Sequence, residues 1–283
     1  MSRQTSFPKV EVLGVELDNL TIDQAIKHLI ELTAPAVSQS YYVVKPHVEH
    51  LFGTTRNPAD RELLNQADLA LPDGVSLNWA AYFHDHTRHR LIDLVTSVAK
   101  IVFQPTAMAK VLPHHSWAAD FTWQLLAACA AAQRSVVIIN SPPGSTEANH
   151  RVVDFLGRVM PKLKIVGTLP GRDPQTRQPG PRLTRQLIAE LKRLRPDVVF
   201  VAMGYPRQEK LSAELAATLD HGVFIGEGGT FDYDKFGGSI KRAPAWVQRH
   251  GLEWLWRMLR QPWRLKRQLA IPRFMWRVYR DSR

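Results

Sequence analysis

The chain has 283 residues, 45 % of them hydrophobic, which is enough for one large domain or two modest ones with a proper core and argues against a disordered or collagen-like chain. A single cysteine, Cys129, excludes an intramolecular disulfide and any multi-cysteine metal site. The net charge is +11, the opening residues MSRQTSFPKVEVLGVEL carry no apolar leader, and no stretch reaches the roughly 18–20 uncharged apolar residues of a spanning helix, so the chain is expected in the cytoplasm.

Residues 20–33, LTIDQAIKHLIELT, place apolar side chains at helical spacing, and Thr21 with Gln24 three positions on predicts a capping box. SYYVVKPH (40–47) is a short β-branched and aromatic run. ADLALPDG (67–74) puts a carboxylate, Asp73, in a Pro-Gly loop behind another apolar run. Residues 84–117 break the rhythm with an amphipathic stretch, LIDLVTSVAKIVF, flanked by histidines and arginines, which predicts a helical element beside the active-site cleft that contacts the bilayer or the acceptor lipid, the alternative being a helix packed on the core. LLAACAAA around Cys129 is a buried helix face. RSVVIINSPPGS (134–145), LKIVGTLPG (163–171), PDVVFVAMG (196–204) and GVFIGEGG (222–229) are apolar runs ending in glycine, the first followed by the helical stretch TEANHRVVDFLGRVM. Strands of that kind, with helices between them, make a doubly wound, mainly parallel α/β sheet covered on both faces, here over residues 1–240.

Ligands in such sheets sit beyond the carboxyl ends of the strands, so the loops after each run hold the candidates. In Ala202-Met203-Gly204-Tyr205-Pro206-Arg207-Gln208-Glu209-Lys210, Gly204 lets backbone approach a ligand, and Gln208 and Glu209 can hydrogen-bond a base, ribose or phosphate; an ordinary strand-to-helix turn would look the same. Gly226-Glu227-Gly228-Gly229-Thr230-Phe231-Asp232 has three glycines in four residues and can cup a phosphate, yet it is neither a Walker loop nor a dinucleotide fingerprint. Asp73 suits a general base in a cleft, or simply a turn. His84, His86, His89, His114 and His115 lack any metal-ligand spacing, so no metal is expected.

Residues 241–283 hold 12 Lys and Arg against 2 acids, Glu253 and Asp281, together with five of the eight tryptophans. Arg257, Arg260, Arg264 and Arg267 recur at helical intervals among Trp and Leu, as in a basic helix lying on an anionic membrane. A solvated helix or a nucleic-acid contact would also use these charges, but the tryptophan density favours the membrane over nucleic acid.

Taken together, ADLALPDGV (67–75), LKIVGT (163–168), VAMGYPRQEK (201–210), GEGGTFD (226–232), KRAPAWVQRHGLEW (241–254) and RQPWRLKRQL (260–269) resemble the WecG/TagA/CpsF family of bacterial glycosyltransferases in order and over nearly the whole chain except 84–117. That resemblance implies a Rossmann-like core with a basic helical C-terminal appendage that closes the site. It implies inverting transfer of a hexose or N-acetylhexosamine from a UDP-sugar to a polyprenyl-diphosphate-linked saccharide, peripherally on the inner face of the plasma membrane. No metal and no cofactor are implied, and a homo-oligomer is left open. The tail ending AIPRFMWRVY is most similar to the teichoic-acid N-acetylmannosaminyltransferases of that family.

On the matched motifs, Asp73 is implied as the base, and Gln208 and Asp232 as polar positions at the nucleotide. Arg257, Arg264 and Arg267 would close over the diphosphate and neutralise the leaving group. Lys45 and His47, where the family usually has Thr and Asn, join Gly144, Gly204, Glu209, Gly228 and Gly229 on the substrate side. Further departures are His115, Ala118-Ala119-Asp120, Ser141-Pro142-Pro143-Gly144 and two extra residues between Asp232 and Arg242. They bear on the choice of sugar, and the alternative is an impaired paralogue that binds a UDP-sugar as a regulator or scaffold.

Overall fold

The computed structural model describes residues 7–104, 111–113, 119–140, 146–170, 185–249, 253–260 and 270–283. It opens on an antiparallel hairpin, β1 (Lys9–Val12) and β2 (Val15–Asp18). Leu13 (φ 52°) and Gly14 (φ 78°) turn it, both in the left-handed region that a two-residue hairpin needs. Six further strands follow: β3 (Ser40–Val44), β4 (Leu69–Ala70), β5 (Ser135–Asn140), β6 (Lys164–Pro170), β7 (Val198–Ala202) and β8 (Gly222–Gly226). They form one sheet in the order β4-β3-β8-β7-β5-β6, every pair parallel. The expected doubly wound α/β core is therefore present.

Every residue of β7 and β8 is buried, because both faces of the sheet are covered. Val199, Val201 and Phe224 face one apolar layer, and Val198, Phe200, Val223 and Ile225 face the other. The first layer contains α2 (Val48–Thr54), α3 (Pro58–Asn65), α4 (Val75–His86), α8 (Arg185–Leu194) and α9 (Arg207–Thr218). The second contains α1 (Ile22–Leu32), α6 (Ala119–Ala131) and α7 (Thr146–Val159). The capping box on α1 forms as expected: Thr21 Oγ1 accepts from Gln24 N–H, and Gln24 Oε1 accepts from Thr21 N–H. Cys129 on α6 is fully buried, and burial pushes its thiol up to about 12.

The amphipathic stretch of 84–117 forms α5 (Leu91–Phe103), which packs on α4. The basic C-terminal segment forms α10 (Ala245–Arg249), α11 (Glu253–Arg260) and α12 (Ala270–Asp281). Of these, α12 lies against α2 and α4 and contributes Phe274, Val278 and Tyr279 to the first layer's core. Its other face carries Arg273, Trp276, Arg277 and Arg280 to solvent. The basic charge expected of an appendage therefore sits partly on a helix that belongs to the core.

The helices after β5 and β7 leave on opposite faces of the sheet, while the strands themselves are neighbours, with Asn140 paired to Ala202. That divergence opens a crevice at the carboxyl edge, the usual place for a ligand. At the far edge, β4 is only two residues long. Its Ala70 N–H donates to Asp18 Oδ2 at 2.7 Å, so the hairpin supplies a buried carboxylate where a further strand would have supplied a carbonyl. On the inner side, Tyr42 N–H donates to Asp68 Oδ2 at 2.7 Å. These two carboxylates seat the strand that leads into Asp73. Asp18→Ala is expected to cost about 2–3 kcal/mol, the worth of a charge-assisted buried hydrogen bond, in urea denaturation. A change below about 0.5 kcal/mol, the scale of an ordinary surface substitution, would show that the edge is held by something else.

Candidate active site

The loops after β3, β4, β7 and β8 meet at one end of the sheet. Lys45 follows β3 directly and is turned inward rather than toward a cleft. Its Nζ lies 2.7 Å from Glu227 Oε2, at the end of β8, and 3.2 Å from Thr122 Oγ1 on α6. Thr122 Oγ1 also donates to Glu227 Oε2 at 2.8 Å, and the ammonium stands 5.6 Å from the Phe121 ring centroid. Burial pushes the Glu227 carboxyl up, against the pull of Lys45 and the Thr122 hydrogen bond. The sequence singles out Lys45 but gives no role to Glu227, inside its glycine loop, or to Thr122. The available signal was the lysine itself: an ammonium directly behind an apolar strand needs a carboxylate near the end of a neighbouring one.

Gln208, at the start of α9, is 4 % exposed and joins two loops. Its Oε1 accepts from Gly204 N–H at 2.9 Å and from Gly228 N–H at 2.8 Å, and its Nε2 donates to Glu209 Oε1 at 2.8 Å. Gly204 (φ 76°) and Gly228 (φ 57°) adopt backbone that favours glycine, and a Cβ on either would meet nothing within 4 Å. The N–H groups expected to cup a phosphate are thus already accepted by Gln208 at these two positions. What the glycines leave toward the crevice is open space.

Beneath Gln208 lies Glu209, fully buried, with Oε2 making no hydrogen bond. Its Oε1 is 3.8 Å from His50 Nε2. His50 Nδ1 accepts from His47 N–H at 3.1 Å, so the neutral ring carries its proton on Nε2, toward the carboxyl. His47 caps α2, its Nδ1 accepting from Glu49 N–H at 3.1 Å, and stacks on His50 with centroids 3.9 Å apart. Tyr205 covers the other side of His50 and donates its hydroxyl to Asp60 Oδ2 at 2.9 Å.

Asp73 stands at the mouth. Its N–H donates to Pro46 O at 2.7 Å, which sets it beside the Lys45–His47 loop, two residues before the first turn of α4. Asp232 closes a 3-10 turn, Thr230–Asp232, and its Oδ2 would lie 3.0 Å from any Cβ on Gly229. Asp120 on α6 accepts from Arg242 Nη1 at 2.6 Å and from Lys235 Nζ at 2.9 Å. Burial works against ionisation there, yet the two cations hold the carboxyl below its usual range. That pair of contacts fastens the start of the basic segment to the sheet's second layer. Gly144, Arg264, Arg267, His114 and His115 lie outside the described residues, as does the side chain of Arg257.

A doubly wound parallel sheet with a carboxylate and open glycine turns at its carboxyl edge is the architecture of α/β proteins whose ligands sit in such a crevice. Residues 10–112 and 101–283 match the glycosyl transferase WecG/TagA/CpsF family, and the chain belongs to it. It is a glycosyltransferase. Two similar proteins, from Bacillus subtilis (strain 168) and Bacillus spizizenii (strain ATCC 23059 / NRRL B-14472 / W23), are each named N-acetylglucosaminyldiphosphoundecaprenol N-acetyl-beta-D-mannosaminyltransferase. The first is 38 % identical over 133 residues, 47 % of this chain and 48 % of that protein, so the alignment spans about half of that relative. The second is 27 % identical over 261 residues, covering 91 % of this chain and 86 % of that protein.

Two outcomes follow from the buried groups. Lys45→Met strands the Glu227 carboxylate, and the expected cost is about 3–5 kcal/mol in denaturant unfolding, with most of it recovered in Lys45→Met/Glu227→Leu. An additive double variant would mean the two do not act as a pair. The second outcome concerns Glu209, which burial lifts from its ordinary 4.5 to about 7. Between those values the folded chain keeps a proton that the unfolded chain has lost. Stability therefore falls as pH rises through that window and levels off above about 7. Melting temperatures measured across the window should show a flatter profile for Glu209→Gln than for the parent, and an unchanged slope would assign the dependence to other groups.

Proposed function

We propose that the chain transfers an N-acetylhexosamine, N-acetylmannosamine by analogy with the named relatives, from a UDP-sugar to a polyprenyl-diphosphate-linked saccharide in the synthesis of teichoic acid or a related surface polysaccharide. The single observation that carries this reading is the position of Asp73. It is held by the Pro46 carbonyl at the carboxyl edge shared with the open space beside Gly204 and Gly228. The UDP moiety takes the crevice between β5 and β7, with the sugar toward Asp73. The acceptor hydroxyl attacks the anomeric carbon from the face opposite UDP, and Asp73 removes its proton as the new bond forms. The bond from the anomeric carbon to the diphosphate breaks, and UDP leaves with the added negative charge. Arg257, Arg264 and Arg267 neutralise it, since guanidinium groups offer forked donors to phosphate.

The enzyme works at the inner face of the plasma membrane, held peripherally. Among the described residues no helix is long and apolar enough to cross a membrane. Support for surface attachment comes from the outward stripe of Arg273, Trp276, Arg277 and Arg280 on α12, which suits anionic lipid. Asp73→Asn keeps the loop's shape and removes the base. Turnover in a UDP-release assay with a short-chain lipid-diphosphate acceptor is expected to fall roughly a hundredfold or more, with UDP affinity barely changed. Turnover close to that of the parent would sink the assignment of Asp73.

A further inference from the structure

Helix α5 carries a second apolar face, on the side away from the core. Two of its polar side chains point inward, to α4: Ser97 Oγ accepts from Trp79 Nε1 at 2.9 Å, and Lys100 Nζ donates to Tyr82 OH at 2.8 Å. Ile101 and Leu94 also face inward, against the first layer's core, while five further apolar side chains point out. Leu91 is 57 % exposed, Ile92 and Val95 62 % each, and Phe103 82 %. Val98, at 36 %, lies on the same face. A contiguous apolar face of this kind marks a contact with something apolar.

The surroundings identify what it contacts. The only acid within α5 is Asp93, whose Oδ2 accepts from Arg90 N–H at the helix start. Where that start meets the end of α12, Arg88, Arg90 and Arg283 line one cleft with His89 and Tyr279. Arg283 also lies 5.8 Å from the Tyr279 ring centroid. The apolar face is thus bordered at its start by cations, the arrangement that anionic headgroups over acyl chains complement. A second copy of this chain would have to present acids opposite the same arginines.

We infer that α5 is a lipid-inserting helix: its Leu91–Ile92–Val95–Phe103 face enters the acyl region of an anionic leaflet, the surface that would carry a membrane-borne acceptor. This rests on the functional reading above for the acceptor, and on geometry alone for the lipid contact.

The test uses the full chain and extruded vesicles of phosphatidylglycerol and phosphatidylethanolamine. Because Cys129 is fully buried, a cysteine introduced by Val95→Cys takes an environment-sensitive fluorophore alone. Its emission is expected to shift to the blue on vesicles. A triple variant, Ile92→Ser/Val95→Ser/Phe103→Ser, changes only exposed side chains. It is expected to melt like the parent and to lose roughly tenfold or more in vesicle partitioning, the loss expected on removing three apolar side chains from a bilayer interface. Transfer to a short-chain, water-soluble acceptor should be unchanged, while transfer to a long-chain acceptor in vesicles should fall with the partitioning. Vesicle binding equal to the parent's, with no blue shift at position 95, overturns the inference. So does a parent that sediments as an oligomer which the triple variant dissolves, because the face then belongs to a second copy. Normal vesicle insertion by a parent that transfers sugar to neither acceptor would instead remove the functional reading and leave the lipid contact standing.

Discussion

A carboxylate with no route to water sits at the end of the central strand, and much of the site's arrangement depends on how its charge is met. Glu227 is fully buried, so it must find a cation or take up a proton. It finds Lys45 from the neighbouring strand and Thr122 from a helix of the second layer. That one cluster fixes the ends of β3 and β8 relative to each other and to α6. The same α6 carries Asp120, which grips Arg242 and so determines where the basic C-terminal segment leaves the core. An ion pair of this sort adds little net stability over an apolar pair of the same shape. It contributes register: three elements from distant parts of the sequence cannot slide past one another without stranding a charge.

Next to this cluster a neutral amide does a related job. Gln208 could point its oxygen either way, and Glu209 decides, by accepting from the amide nitrogen and leaving Oε1 to the Gly204 and Gly228 N–H groups. The loops after β7 and β8 are then one rigid unit. A crevice whose walls are set before ligand arrives loses less conformational freedom on binding. The buried carboxyl beneath has a raised pKa because the apolar core around it disfavours charge, with His50 close enough to respond to its state. Structure at the mouth of the site is in this way supported by buried polar groups.

Two helical surfaces give the molecule its directionality. On α12 the apolar residues face in and the arginines face out, as a helix on a core should. On α5 Ser97, Lys100 and Ile101 face in, while Leu91, Ile92, Val95 and Phe103 face out. Both helices pack on α4, whose first turn carries the loop of Asp73. Chemistry at the sheet's edge, basic charge and exposed apolar surface are therefore linked through a single helix.

The sequence by itself determined the class of the fold. Runs such as PDVVFVAMG and GVFIGEGG are apolar at every position, which only a strand covered on both faces tolerates, and their glycine endings mark where loops leave. The α1 cap and the span of α5 were also legible, because both depend on contacts within a few residues. The hairpin at Leu13-Gly14 was overlooked although its alternation is local, and its role at the sheet edge needed Asp18 placed against a strand far along the chain. Tertiary structure alone decided how the polar residues at the carboxyl edge are engaged. Lys45 and Gln208, read from sequence as groups for substrate, have their polar atoms engaged by Glu227 and by two backbone loops. It also decided that the last helix packs on the core and that α5 leaves Leu91, Ile92, Val95 and Phe103 exposed. Periodicity gives the angle between polar and apolar faces of a helix, but not which of them meets the protein; that orientation is set by the partners α4 offers, Trp79 and Tyr82.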